Sequence, residues 1–182
     1  MAQPHVQGDD VNELFIESNA VLSPDRLYRY LLVRKWSSQP YLTYIMLNPS
    51  TADENVNDPT IERCIRRAIK LGYGGIEVVN LFAFRATDPK ELRTIIDPIG
   101  DENDKYILDS ARNAGIVVIA WGNHGSLRMR WRAVTRMLWV AGIPMYHLGM
   151  SKQNHPKHPL YVRYDVEPRR LDLVLEVVQE RP

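Results

Sequence analysis

Residues 116–120 constrain the fold most, because Ile-Val-Val-Ile-Ala is wholly apolar and is bounded by Gly115 and by Trp121-Gly122. Such a short apolar run is typical of a strand buried on both faces of a sheet. Three further apolar runs lie at residues 41–47, 76–84 and 144–148, and segments with helical periodicity separate them. Alternating strands and helices predict βαβ crossovers. We therefore expect an α/β protein with three layers, α/β/α, around a mainly parallel four-stranded sheet.

An antiparallel hairpin is expected at the N-terminal side of this sheet. Residues 27–33 and 41–47 are both rich in strand-forming side chains, and a Ser-Ser-Gln-Pro turn signal lies between them. The first helix is predicted to begin at Asp58-Pro59, since aspartate suits an N-cap and proline the first helical position. A second helix is predicted over residues 102–114, and residues 171–178 are expected to form a terminal helix or strand.

The length of 182 residues and an ordinary composition, 45% hydrophobic and 25% charged, predict one domain. We assign that domain to residues 21–182 and expect residues 1–20 to be a polar, mobile arm. No apolar stretch approaches the roughly 20 residues of a membrane span, and the N-terminal residues lack the pattern of a secretion signal. A single cysteine, Cys64, cannot form an internal disulfide. The expectation is a cytoplasmic protein with no membrane association.

Charge is segregated along the chain. Residues 110–164 contain eight Lys or Arg, no Asp or Glu, and four of the five histidines. This run predicts a phosphate-bearing partner, either a nucleic acid or a nucleotide. Within it Arg128, Arg132 and Arg136 are four residues apart, so on one helix they would share a face and repel one another unless an anion lay opposite. We interpret them as phosphate-binding residues; the alternative is a basic surface that aids only solubility.

Ligands of parallel α/β sheets bind outside the carboxyl ends of the strands. That rule selects four segments, which follow the apolar runs at residues 48–53, 80–85, 121–124 and 149–161. Their polar, aromatic and glycine residues are the candidates for contact with a substrate. These candidates are Pro49, Ser50, Thr51, Asn80, Phe82, Arg85, Trp121, Gly122, Lys152 and Tyr161.

Several common chemistries lack their usual motifs in this chain. There is no nucleophile elbow, no P-loop and no dinucleotide-binding glycine pattern. His155 and His158 have a spacing that could ligate a metal, but no glutamate or cysteine pair accompanies them, so neither a metal nor a cofactor is expected. Each of the two is followed by proline, which restricts the backbone. Such rigidity suits an active-site donor; the alternative is a stiff surface loop.

The ordered motifs of residues 25–165 resemble one family. They include the segment from Tyr28 to Trp36, Leu47-Asn48-Pro49-Ser50-Thr51-Ala52-Asp53, Asp58-Pro59-Thr60, Arg63-Cys64, Asn80-Leu81-Phe82-Ala83, Arg85-Ala86-Thr87, Asn103-Asp104, Ala120-Trp121-Gly122 and His158-Pro159-Leu160-Tyr161. This set is similar to the domain-of-unknown-function family numbered sixteen-forty-three, which comprises bacterial and phage proteins. That resemblance implies no established activity.

The strand-end motifs are also similar, in their order, to those of the uracil-DNA glycosylase superfamily. Asn48-Pro49-Ser50 resembles the family's water-positioning motif after the first strand, and Asn80 would correspond to its base-reading asparagine. Ala120-Trp121-Gly122 resembles the motif after the third strand. The closing histidine motif resembles both His155-Pro156 and His158-Pro159-Leu160.

This second resemblance implies cleavage of an N-glycosidic bond. Asn48 would hold the attacking water, Asn80 would read the base edge, and His158 or His155 would donate to the base carbonyl as negative charge develops there. Asp53 and Asp58 are alternative water-activating carboxylates.

Two other hypotheses remain open at the level of the sequence. One is a non-catalytic module that binds nucleic acid. The other is an enzyme that acts on a free nucleotide or modified base by another reaction, with Asp53, Asp58 and Asp104 as bases or metal ligands.

Overall fold

A computed structural model describes residues 15–172. Seven strands occur in this part of the chain: β1 (Glu17–Leu22), β2 (Arg29–Lys35), β3 (Tyr41–Met46), β4 (Gly75–Asn80), β5 (Ile116–Ile119), β6 (Met145–His147) and β7 (Arg169–Arg170). Three α-helices accompany them: α1 (Pro59–Lys70), α2 (Asn103–Asn113) and α3 (Arg130–Val140). Short 3-10 helices cover Pro89–Arg93, Asn123–Met129 and Pro159–Tyr161.

All seven strands form one sheet in the order β1-β2-β4-β3-β5-β6-β7. The neighbours β4–β3, β3–β5 and β5–β6 are parallel, whereas β1–β2, β2–β4 and β6–β7 are antiparallel. The predicted α/β class is confirmed. The sheet is mixed and has seven strands, however, because antiparallel strands extend the parallel centre on both sides.

The predicted pairing of the N-terminal hairpin is wrong. β2 does not pair with β3; β4 lies between them and is antiparallel to β2 and parallel to β3. The strand β3 is buried along nearly its whole length, which suits the centre of a sheet. A hairpin does exist, but its strands are β1 and β2, so residues 17–20 belong to the sheet although the sequence assigned them to the arm. The rest of that arm, residues 1–14, and residues 173–182 of the terminal element lie outside the described residues.

Helices cover both faces of the sheet. On one face α1 buries Ile61, Cys64 and Ile65 against strands β3, β4 and β5. On the other face α2 and α3 contribute Ile107 and Leu138 to a second apolar cluster. The α1 helix begins where the sequence predicts, because the Asp58 side chain accepts hydrogen bonds from the backbone N–H groups of the first turn. Within residues 15–172, no helix combines the length and the apolar character needed to cross a bilayer.

The helix that contains Arg132 and Arg136 does not include Arg128. Leu127 and Arg128 have non-helical backbone angles, with φ of 50° at Arg128, and α3 starts at Arg130. Arg128 is therefore not on the same helix as Arg132 and Arg136. Its guanidinium group donates instead to the carbonyl oxygens of residues 95 and 96. The expectation that the three arginines share one helical face is wrong.

Candidate functional site

A cleft of about 530 Å³ opens at the carboxyl ends of β3 and β5. The loops after these two strands, the first turn of α1 and the segment around Pro159–Tyr161 form its walls. The predicted residues that line it are Asn48, Ser50, Asp58, Trp121, Gly122, His158 and Tyr161. The strand-end rule thus brings residues from three of its four segments into one cavity, and Asp58 joins them from the start of α1. Its volume falls in the range of sites for small molecules and cofactors.

Asn48 follows β3, and its hydrogen bonds fix the orientation of its amide. The Nδ2 group donates to the carbonyl oxygens of Pro49, at 3.0 Å, and of Ala86, at 2.7 Å. Both amide hydrogens are therefore used by the backbone. Because no donor among residues 15–172 reaches the Oδ1 atom, the side chain of Asn48 offers the cleft an acceptor.

Asp58 lies between the helix α1 and the cleft. Its Oδ1 atom accepts from the backbone N–H groups of Thr60 and Ile61, each at 2.9 Å. These two bonds hold the carboxylate at the cleft wall. Its charge raises the pKa of Arg29, His158 and Cys64, and at Arg29 and His158 this opposes the lowering effect of burial.

His158 is held as a neutral imidazole with its proton on Nε2. Burial lowers the pKa of its side chain below the ordinary value, and the charge of Asp58 only partly opposes that shift. The Nδ1 atom accepts from the backbone N–H of Leu160 at 3.4 Å. A neutral imidazole that accepts at Nδ1 carries its proton at Nε2. His158 lines the cleft and therefore offers it a donor, whereas Asn48 offers an acceptor.

Two aromatic side chains, Trp121 and Tyr161, also line the cleft. Trp121 is buried and its indole Nε1 has no hydrogen-bond partner in the described residues, while Tyr161 is 82% exposed at the mouth of the cleft. The ring of Tyr161 lies 6.0 Å from that of His158. Gly122 has φ of 71°, a conformation that favours glycine. The rings of Trp121 and Tyr161 therefore form the aromatic part of the cleft wall.

Several predicted residues do not line this cleft. Pro49 and Phe82 are buried, Thr51 and Lys152 are exposed, and Asn80 is fully buried. Phe82 belongs to the apolar cluster to which α2 and α3 contribute.

Asp53 and Arg85 form hydrogen bonds with backbone groups and do not line the cleft. Asp53 accepts from the N–H groups of Asn55 and Val56, which lowers the pKa of its carboxyl, and Arg85 donates to the carbonyl oxygen of Arg26. Asp104, which would serve as a base or metal ligand if the chain acted on a free nucleotide, pairs with Arg130. Neither aspartate lines the cleft.

The two histidines of the repeated His-Pro motif lie in different places. His155 lines a second cavity of about 320 Å³, where its ring meets that of Trp131 at 6.0 Å. Trp121 forms part of the wall of both cavities. Of the two histidines, His158 is the one that shares a cavity with Asn48.

Arg128, Arg132 and Arg136 do not line the cleft. Arg128 is occupied by the backbone carbonyls noted above, and Arg132 lies against the ring of Trp131, with 5.4 Å between the guanidinium carbon and the ring centroid. The charges closest to a ligand in the cleft are different ones. They belong to Arg29, Asp58 and Lys157.

Sequence reasoning missed six polar residues of the cleft: Arg29, Thr60, Thr87, Asn123, His124 and Lys157. Asn123, His124 and Lys157 lie in segments that the strand-end rule had already selected, so a wider selection would have found them. Thr60 and Thr87 belong to the motifs Asp58-Pro59-Thr60 and Arg85-Ala86-Thr87, but neither was selected as a site residue. Arg29 lies in the motif segment from Tyr28 to Trp36, and the strand-end rule does not select it because it stands at the beginning of its strand.

No cluster of three or more His, Cys, Asp or Glu side chains that could hold a metal ion occurs within the described residues 15–172. A family model described as protein of unknown function (DUF1643) matches residues 29–160, and this match includes every cleft residue named so far except Tyr161. No curated protein and no solved structure matches the chain.

Proposed function

The chain belongs to DUF1643, a family described only as proteins of unknown function, and we propose from the chemistry of its cleft that it binds a nucleobase and cleaves the N-glycosidic bond joining that base to its sugar. The ligand would be a nucleotide or a nucleic acid with the base turned into the cleft. One observation carries this proposal. Asn48 presents an acceptor and His158 a neutral donor to the same cavity.

Both of these groups would promote hydrolysis of an N-glycosidic bond. The bond between the sugar carbon and the base nitrogen breaks, and its electron pair leaves with the base. A donor near the base carbonyl stabilises the negative charge that develops there. The Nε2–H of His158 supplies such a donor. An acceptor on the other side of the sugar holds the water whose oxygen forms the new bond to carbon, and Oδ1 of Asn48 supplies it.

The proton released by that water needs a base, since the amide of Asn48 cannot take it. Asp58 is the carboxylate that lines the cleft, and its Oδ1 atom is held by the N-terminus of α1. We assign proton acceptance to Asp58. Asp53, the other candidate from the sequence, is bound to its own loop and does not line the cleft.

The test is release of base from oligonucleotides that contain uracil, hypoxanthine or a mismatched thymine, in single and double strands, and from free nucleosides and nucleotides. We expect Asn48→Ala and His158→Gln each to lower the rate by at least about tenfold, because each removes a group that acts on the developing charges.

His147 provides the matched control. Its Nδ1 also accepts a backbone N–H, from Gly149 at 2.9 Å, and burial also lowers its pKa, but it does not line the cleft. His147→Gln should therefore leave the rate unchanged. Equal losses in His147→Gln and His158→Gln would show that the loss reflects the fold and not the cleft.

Salt-dependent binding of DNA without release of base would favour the non-catalytic alternative, since phosphate contacts release counterions. A second alternative, an enzyme that acts on free nucleotides, is favoured by one specific observation: none of the three arginines assigned to a nucleic-acid backbone lines the cleft. Turnover of mononucleotides but not of oligonucleotides would select it.

A further inference from the structure

Arg29 differs from the other arginines that are buried in this protein. Arg34 donates to Asn57 Oδ1 and to the carbonyl oxygens of Val33 and Asp53. In contrast, Arg29 makes one such bond, from Nη1 to the carbonyl oxygen of Ala52 at 2.7 Å, and its Nε has no partner.

The other two buried arginines have more partners than Arg29 does. Arg67 donates to the carbonyl oxygens of residues 162, 163 and 166, and Arg130 pairs with Asp104 and donates to the carbonyl oxygen of residue 81. Of the four arginines that are buried within residues 15–172, Arg29 is the one that lines the cleft.

The charge of Arg29 is not neutralised by direct contact with a carboxylate. Within residues 15–172 no Asp or Glu oxygen comes within ion-pair distance of its guanidinium group. The residue is 2% exposed, and burial lowers its pKa to about 10, so it still carries its proton at neutral pH. Asp58 and Asp53 act on it from a distance, and Arg34 and Arg85 oppose them. A buried cation in this condition costs free energy that an anion would offset.

Asn80, on the strand adjacent to that of Arg29, also has buried polar atoms without a partner. Both atoms of its side-chain amide are buried without a hydrogen-bond partner in the described residues, and the residue is 0% exposed. Asn80 pairs with Met46 across the parallel strands β4 and β3, so the two side chains point to the same face of the sheet. β2 is the neighbour of β4 on its other side.

Asn80 thus lies between two strands that both contribute to the cleft, since Met46 and Arg29 line it. Three buried side-chain atoms on these adjacent strands have no hydrogen-bond partner in the described residues. They are Nε of Arg29 and the two amide atoms of Asn80, and of these two residues it is Arg29 that lines the cleft.

We propose that Arg29 forms an anion-binding subsite at the inner end of the cleft, and that the ligand of this protein carries a negatively charged group there. Guanidinium and amide N–H groups are the donors that oxyanions and deprotonated heterocycles prefer. Two sources of that charge fit the cleft. One is the phosphate of a mononucleotide, and the other is the ring of the base as it leaves with the electron pair. The inference relies on the proposed function for the class of ligand and not for the hydrolytic step.

The experiment measures thermal stabilisation and equilibrium binding of the full chain at constant ionic strength set with chloride. The probes are inorganic phosphate, uridine 5′-monophosphate, uridine and free uracil. A ligand that binds only the folded protein raises its melting temperature. We expect the monophosphate to bind at least about tenfold more tightly than uridine if the phosphate occupies the subsite. Uracil binding that strengthens as pH rises through ionisation of its ring would identify the base as the anion.

Two variants test the role of Arg29. Arg29→Met removes the charge, so it should abolish the stabilisation by the anionic probe, and it should lower the melting temperature by less than half as much as Arg34→Met, whose parent side chain has all its nitrogens bound.

Three outcomes would overturn the proposal. They are unchanged anion affinity in Arg29→Met, a loss of stability in Arg29→Met equal to that in Arg34→Met, and absence of any anion effect on the wild-type protein. Failure of the glycosidase hypothesis has a different signature. In that case anions bind and Arg29→Met abolishes the binding, but no base is released from any substrate.

Discussion

The side-chain amide of Asn48 donates to the carbonyl oxygen of Ala86 across 2.7 Å, and this bond joins the loop after β3 to the loop after β4. A second bond, to the carbonyl oxygen of Pro49, leaves the amide no further hydrogen to donate. Asn48 therefore has a structural role as well as its role in the cleft. Both loops contribute to the cleft walls, so the orientation of Asn48 and the shape of the cavity depend on each other.

Asn48→Ala should lower the free energy of unfolding by about 1–3 kcal/mol, because two backbone carbonyls at a half-buried position lose their donor. Urea denaturation measures this change. Asn113 gives a matched control, since its Nδ2 also donates to a backbone carbonyl, that of Asp109 at 3.0 Å, but from an exposed position. Asn113→Ala should change the free energy by no more than about 0.5 kcal/mol. Equal effects of the two substitutions would mean that Asn48 does not hold the two loops together.

Stability should fall as the pH drops through the ordinary histidine pKa of 6.5. Burial lowers the pKa of His158 in the folded state, so the unfolded chain takes up the proton first when the pH decreases. The contribution of His158 is therefore complete above pH 6.5 and is lost between that pH and its lower folded-state value. Burial also lowers the pKa of His147 and of His155, so all three histidines contribute to the pH dependence of the stability of the wild type.

Urea midpoints measured from pH 8 to pH 5 in the wild type and in His158→Gln isolate the contribution of His158 to this pH dependence. We expect the difference in stability between the two proteins to shrink as the pH falls below 6.5. A constant difference across that range would show that the imidazole of His158 is not held neutral. The rate of base release should also fall as the pH drops below 6.5, since only the neutral form of His158 accepts at Nδ1 and donates at Nε2.

The sequence predicts the position of the cleft well because a single geometric rule governs it. Parallel strands bring their carboxyl ends to one edge of the sheet, and residues after different strands therefore meet. Asn48, Trp121 and His158 are found in this way. The rule fails for Arg29, which begins its strand. β2 is antiparallel to β4, so its first residue reaches the edge where the parallel strands end.

Two other failures have local causes. The predicted face of Arg128, Arg132 and Arg136 assumes an uninterrupted helix, but the backbone at residues 127 and 128 leaves the helical region and α3 begins two residues later. The repeated His-Pro motif gives His155 and His158 the same local signal. Their separation into two cavities depends on the path of the loop, which tertiary contacts determine. A sequence pattern does not encode that path.

Gly125→Ala should disturb the wall between the two cavities. A Cβ at residue 125 would lie 2.0 Å from Cδ1 of Trp121, a contact that the buried indole can relieve only by moving. We expect a loss of about 2–3 kcal/mol in unfolding free energy, as for other overpacked interiors, together with a change in tryptophan fluorescence. Gly142→Ala separates this effect from backbone strain, because Gly142 has φ of 71° but open space around it. It should cost about 1–2 kcal/mol without a fluorescence change.

The segment that carries His158 and Tyr161 is held to α1 by arginine. Arg67 is 1% exposed and donates to the carbonyl oxygens of Val162, Arg163 and Val166, while Arg63 donates to those of Pro159 and Val162. Within residues 15–172 the carbonyl oxygens of Val162 and Val166 accept no backbone N–H, so the guanidinium groups supply their donors.

Arg67→Met should therefore cost about 3 kcal/mol in unfolding free energy, since several carbonyls lose their donor at once. It should also increase amide hydrogen exchange over residues 158–166, and base release should fall because His158 loses its position. Arg66→Met is the matched control on the same helix, because Arg66 is exposed. That variant should change stability by less than about 0.5 kcal/mol. Hydrogen exchange over residues 158–166 that stays at the wild-type level in Arg67→Met would mean that the segment keeps its conformation without this anchor.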